Sequence, residues 1–181
     1  MKRQEARQLL EEKVKTANLR KHMLATAAVL EALARRLGED PELFYLTGLL
    51  HDLDYDLTKE TPERHGLETA RMLEGRGLPQ EMLHAIKAHA GKAQPESRLD
   101  ISLYAADPVT GFIVACALIR PEKKLAAVDL DFLLKRWKEK RFAAGASREQ
   151  MDTITRLGMS REEFLRLALE AMRGISGELG L

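Results

Sequence analysis

Apolar residues recur along this chain at helical spacing and nowhere in sustained strict alternation, a pattern that restricts it to an all-α fold. Leucine, alanine, glutamate, lysine and arginine, all strong helix formers, dominate it. Residues 3–16 read as a charged amphipathic opening segment. Residues 19–37 carry apolar groups at Leu24, Ala27, Ala28, Leu30, Leu33, Ala34 and Leu37, and Gly38 supplies a stop. Asp40 is a natural N-cap before Pro41, which opens a helix running to about His51. Residues 53–62 read as a polar loop. Pro62-Glu63 opens a helix that holds His65 and ends near Gly75 and Gly77, and Pro79 begins another through His89, closed by Gly91. A long apolar helix follows over about 99–119, which Pro108 is expected to kink or divide. Asp129 to Lys140 reads as a basic helix containing Trp137. Ser147 caps the next helix, and Ser160 with Glu163 forms a capping box for a last one to about Arg173, leaving a frayed tail from Gly174.

The 181 residues suit a single domain, with a core at about 18–120 and a helical extension at about 121–176. A net charge of +1 carries no global pull toward nucleic acid or an anionic membrane. The single cysteine, Cys116, lies in an apolar run, so no disulfide framework exists and a cytoplasmic location is expected. No apolar signal region follows Met1-Lys2-Arg3, and the longest apolar stretch, around Ala115 to Ile119, reads as too short for the roughly 20 residues of a membrane span. Oligomeric state is left open, a homo-oligomer included.

Against this background one stretch stands apart. The apolar run Leu43-Phe44-Tyr45-Leu46-Thr47-Gly48-Leu49-Leu50 ends abruptly in His51-Asp52. Imidazole nitrogen and carboxylate oxygen suit zinc, iron, manganese and nickel, and a site at the edge of a core limits competing water. The pair gains weight only if other ligands join it. His22 is in register with Thr26, Val29, Leu33 and Leu37 on an inward stripe. His89 is in register with Met82, Leu83 and Ile86. His84 precedes His89 by five positions, about 140° around a helix, so the two do not share a face and His89 is the candidate. Asp107 is an acid in an apolar helix with no basic neighbour within a turn, the nearest being Arg98 and Arg120. A buried carboxylate is costly unless paired or metal-bound. Asp107 can also cap a helix restarted by Pro108, and its two oxygens allow both roles.

The order His22 … His51-Asp52 … His65 … His89 … Asp107 resembles the HD superfamily of metal-dependent phosphohydrolases, over about residues 18–120. Many members read His-Asp-Ile-Gly at the doublet, where Leu53-Asp54 stands here. The longer form His51-Asp52-Leu53-Asp54-Tyr55-Asp56 resembles a bacterial branch apart from the signalling enzymes. The resemblance implies an all-helical HD bundle with additional C-terminal helices. It implies a divalent metal, one or two ions of Fe, Mn, Zn, Co, Ni or Mg, held by His22, His51, Asp52 and Asp107, with His65 and His89 added in two-metal members. There Asp52 would bridge, although His65 and His89 could instead touch substrate phosphate.

The implied chemistry is hydrolysis of a phosphate ester or anhydride of a nucleotide or related small metabolite. A divalent ion brings the pKa of bound water toward neutrality, and two ions clamp the phosphoryl oxygens. Asp52, Asp54 and His65 are the candidate catalytic residues, with Asp54 or Asp56 orienting the nucleophile or simply making a turn. Lys59 and Arg64 flank the loop before His65, and Lys87 and Lys92 bracket His89; these suit a substrate anion. Lys138 and Arg141, in the basic segment from Lys135, would join them if it folds over the cleft; the plainer reading is a solvated helix with Trp137 and Phe142 buried. Cys116 reads as core, with no histidine or cation near it in sequence. Two other functions fit the same residues: a di-iron oxygenase on the same fold, and a non-catalytic metal or nucleotide sensor.

Overall fold

A computed structural model describes all 181 residues, Met1 to Leu181, and it is all-α. The α-helices are α1 (Arg3–Lys13), α2 (Ala17–Leu37), α3 (Pro41–Leu50), α4 (Tyr55–Thr58), α5 (Leu67–Leu73), α6 (Gln80–His89), α7 (Arg98–Leu118), α8 (Leu130–Trp137), α9 (Arg148–Asp152), α10 (Arg161–Gly174) and α11 (Ser176–Leu179). Their ends follow local chemistry. The Asp40 carboxylate accepts from the Glu42 amide, with Pro41 in the first turn of α3. Ser97 and Asp100 form a reciprocal capping box on α7. Asp129 accepts from the Phe132 amide at the start of α8.

Two apolar clusters share α2. One face of it, Val29, Leu30 and Leu33, joins α7 and the C-terminal helices around Phe112, Phe164 and Leu169. The other, Met23 and Ala27, joins α1, α3 and α6 through Leu10, Leu49, Leu50 and Ile86. The helices α2, α3, α6 and α7 pack against one another, and every candidate ligand except His65 lies on or at the end of one of them.

Several expectations change. Pro108 neither divides nor ends α7, which runs unbroken for 21 residues, because its neighbours hold the helix through a missing N–H. That continuity makes α7 long and apolar enough to span a bilayer by length and composition, with mean hydropathy 1.6, unlike the shorter stretch read from sequence. It is instead the core helix, with 61% of that window buried. The expected loop at 53–62 contains the helical turn α4, and Asp56 there accepts from the Lys15 and Thr16 amides and the Thr16 hydroxyl. Pro62 opens a short 3-10 turn that stops at Arg64, so His65 precedes α5 rather than lying inside a helix. α8 ends at Trp137 rather than Lys140. Ser160 accepts from the Glu163 amide, but only half the capping box forms, since the Glu163 carboxylate pairs with Arg36 at 2.7 Å. The tail is not frayed: α11 forms and Leu179 is buried.

Candidate metal centre

Four histidines and two aspartates converge from separate helices. His22 comes from the second turn of α2, His51 and Asp52 from the end of α3, His65 from just before α5, His89 from the last residue of α6 and Asp107 from the middle of α7. All four imidazoles aim Nε2 inward. Asp52 is buried at the centre, and its two oxygens face different pairs. Oδ2 lies 3.5 Å from His51 Nε2 and 3.8 Å from His22 Nε2. Oδ1 lies 3.2 Å from His89 Nε2 and 3.5 Å from His65 Nε2. Asp107 Oδ1 completes the first side at 3.0 Å from His22 Nε2 and 3.8 Å from His51 Nε2. Neighbouring rings stand edge to face with centroids 5.0 to 5.2 Å apart: His22 with His51, His51 with His89, and His65 with His89.

Each outward nitrogen has a partner, and the partners fix the tautomers. His51 Nδ1–H donates to the Gly48 carbonyl at 2.8 Å, and His89 Nδ1–H donates to the Ile86 carbonyl. Both histidines end a helix, where the last carbonyls lack intrahelical partners, and each fills the one three residues back. The Thr110 hydroxyl donates to the Asp107 carbonyl, so it accepts from His22 Nδ1–H at 2.9 Å. His65 Nδ1–H donates to Asp54 Oδ1 at 2.8 Å. In the neutral rings every Nε2 therefore carries a lone pair, the form that binds a cation. His51 Nε2 is fully buried and has no hydrogen-bond partner. An orphaned buried lone pair beside two carboxylates and three other imidazoles is a donor set for a divalent transition ion.

Burial pushes the His51 imidazolium down, but the Asp52 and Asp107 carboxylates outweigh it and hold the group up at about 9. The same opposition leaves Asp52 and Asp107 well below the usual carboxylate range, His51 and His89 acting on the first and His22 and His51 on the second. Without an ion the proton on His51 therefore takes the place of the cation. Its stabilising effect is complete below the ordinary histidine value of 6.5 and fades as pH rises through about 9. The carboxylates contribute above the usual value of 3.8 and lose their contribution on acidification. An incoming ion must displace the His51 proton. Apparent metal affinity is thus expected to rise about tenfold per pH unit from 6.5 to about 9, in competition titrations with a fluorescent chelator. A flat profile over that range would contradict this.

Asp54 is wholly buried and faces away from Asp52. It accepts from His65 and from the Gly66 and Thr69 amides, at 2.7 and 3.0 Å, while its own amide donates to the Thr69 hydroxyl. Both its oxygens are engaged in orienting His65. Gly66 allows this approach: its φ is +76° and an added Cβ would lie 2.9 Å from the Ile86 carbonyl. Asp54→Asn removes an acceptor from buried donors. It is expected to weaken metal binding about 10–100-fold and to cost about 1–3 kcal/mol of stability, read by calorimetric titration and thermal unfolding. Metal affinity equal to wild type would remove Asp54 from the site.

The remaining sequence candidates are not among the clustered ligands. Lys59 and Lys92 are exposed, and Arg64 is held by Glu68 at 2.7 Å. Trp137 is buried against Phe112, and Arg148 stacks over the Phe112 ring at 4.6 Å. This turns Lys138 and Arg141 to the surface of the C-terminal helices, where Lys138 lines a hollow with Trp137, Ser147 and Arg148 and none of the clustered histidines. His84, not a member of the cluster, pairs with the capping carboxylate of Asp100 at 3.0 Å. Sequence reading missed the supports Thr69 and Thr110, as well as Gly48; only the helix-ending histidines carried a signal for their carbonyl partners.

Comparison with known proteins agrees with this geometry. The family model described as HD domain matches residues 19–110. Ribonuclease Y of Acidothermus cellulolyticus is 32% identical over 94 residues, 52% of this chain and 19% of that protein. Ribonuclease Y of Desulfotalea psychrophila is 33% identical over 94 residues, covering 52% and 18%. That of Lawsonia intracellularis is 31% identical over 97 residues, covering 53% and 19%. The chain thus spans about a fifth of the length of these relatives. No solved structure matches.

Proposed function

The chain belongs to the HD domain family, a superfamily of metal-dependent phosphohydrolases, and on that premise we propose that it hydrolyses a phosphate ester or anhydride of a nucleotide or related small metabolite. The observation that carries the reading is the division of Asp52 between two pairs of histidines. It supports two ions, one that His22, His51, Asp107 and Asp52 would hold and another that His65, His89 and Asp52 would hold. A divalent ion held there supplies a Lewis acid and lowers the pKa of water at the site. The chain's own part is to fix the imidazoles through Gly48, Ile86, Asp54 and Thr110, and to keep the carboxylates ionised. Lys59, Lys92 and Arg64 remain candidates for the substrate anion, by their place next to the site segments. A cytoplasmic location suits the lone buried Cys116.

The relatives' name, Ribonuclease Y, brings RNA phosphodiesters in as a second substrate class. The test is a panel of nucleotides, phosphorylated metabolites and short RNA, with chelated protein reloaded with Mn, Fe, Co, Ni or Zn. Metal-restored release of phosphate from a small phosphoester is expected. Cleavage of RNA alone would favour the second class. Oxygen uptake with a change of iron absorbance would favour an oxygenase, and metal or nucleotide binding without turnover a sensor.

A further inference from the structure

A cavity of about 450 Å³ lies between α2 and α7 and has His22 and Thr110 in its wall. From there it follows one face of α7. Asp107, Gly111, Val114 and Leu118 stand at i, i+4, i+7 and i+11, a single stripe of a helix. The last three line the cavity, and Asp107 stands a turn before them. His22 and Asp107 are also among the more open members of the cluster, with side chains 24% and 32% exposed, whereas His51 is sealed. Of the cluster, His22 alone stands in the channel wall, and Asp107, its partner at 3.0 Å, lies one turn of α7 before Gly111. The floor of the channel is Gly111, where an added Cβ would meet nothing within 4 Å. Its far end is closed by Leu179 and Leu181, which lie outside the region matched by the family model.

We propose that this channel is the pocket for the leaving group of the substrate, and that it takes an apolar, ring-sized organic group bearing a hydrogen-bond acceptor or negative charge toward Lys21. The inference rests on the phosphohydrolase reading and names the substrate class for it. Phosphate would sit at the clustered histidines, with the remainder of the molecule over Gly111. Val114, Leu118 and Leu179 offer a polyol no partners, and polar side chains line the channel only at Asn18, Lys21, His22 and Thr110, so an aromatic or alkyl group suits the leucine-lined part better. Lys21 lines the same cavity and has no ion-pair partner in the fold, whereas most arginines of α1 and α2 are paired. In a nucleotide the base would be the ring. The C-terminal helices thus act in specificity.

The test uses two non-hydrolysable probes, 1-naphthylmethylphosphonate and methylphosphonate, titrated calorimetrically into Mn-loaded protein. Wild type is expected to prefer the naphthyl probe at least about tenfold, the worth of a modest buried apolar area. Gly111→Leu fills the channel and raises helix propensity, and Leu118→Asp changes an exposed wall. Each is expected to cut that preference at least fivefold, with metal content measured alongside to show the centre intact. No preference in wild type, or an undiminished one in both variants, would overturn the proposal. Phosphate release from 1-naphthyl phosphate and methyl phosphate is followed in parallel. Preference without any hydrolysis sustains the pocket and defeats the phosphohydrolase reading, and hydrolysis without preference does the reverse.

Discussion

Asp52→Ala is expected to lose its divalent ion, with affinity falling by more than about 100-fold, beyond the 10–100-fold typical of losing a supporting partner. Helical content should stay as in wild type. The carboxylate is buried and stands within 3.2 to 3.8 Å of four imidazole nitrogens, whereas Asp107 reaches only His22 and His51, so no other side chain joins the two pairs. Its removal also takes away the leading attraction that holds the His51 proton and leaves that role to Asp107. Asp107 stays beside His22 and His51, so no buried charge is left without a partner, which is why the fold should survive. Metal analysis of dialysed protein reads the result directly. Wild-type stoichiometry in the variant would contradict the assignment.

Gly48→Ala should be the most damaging conservative change in the molecule. An added Cβ would lie 2.7 Å from the Ala27 Cα, 2.8 Å from the Ala27 nitrogen and 2.9 Å from the Thr26 carbonyl carbon. All three atoms are backbone of α2, so nothing can rotate aside, and α3 must move bodily. Overpacking of this kind costs about 3 kcal/mol, or a loss of about 6–12 °C in Tm for a chain of this size. The displacement also reaches the site, because the Gly48 carbonyl holds His51 while α2 carries His22. Metal affinity and Tm should therefore fall together. Gly145→Ala, where an added Cβ meets nothing within 4 Å, is the control and should leave both unchanged. An unaltered Tm for Gly48→Ala would show that α2 and α3 are not packed this closely.

Helix periodicity made the fold class legible, and the fall of an apolar run into His51-Asp52 pointed to the site. The clustering itself could be anticipated because His22, His89 and Asp107 each interrupt an apolar face. What sequence could not supply was the work of contacts distant along the chain. Asp54 reads as a turn residue or a catalytic acid, yet its three hydrogen bonds come from residues 65 to 69. Asp56 reads the same way but ties down the start of α2. The tail from Gly174 carries only weak local signals, and it orders because Leu179 packs into the larger core cluster and Glu178 pairs with Arg7 at 2.8 Å. Glu163 fits a local capping box and is drawn instead to Arg36, a charge local sequence cannot place beside it. For the basic segment the plainer reading, with Trp137 and Phe142 turned inward, matches the structure, where both rings pack against Phe112.

The central claim is that imidazoles from four segments gather around one carboxylate to hold metal. An anomalous difference map from a crystal soaked in Mn(II) tests it most directly. Two peaks are expected, one on each side of Asp52, the first bounded by His22, His51 and Asp107 and the second by His65 and His89. A single peak on one side would retain the centre and remove the second ion. Density elsewhere on the molecule, with none beside Asp52, would contradict the claim outright.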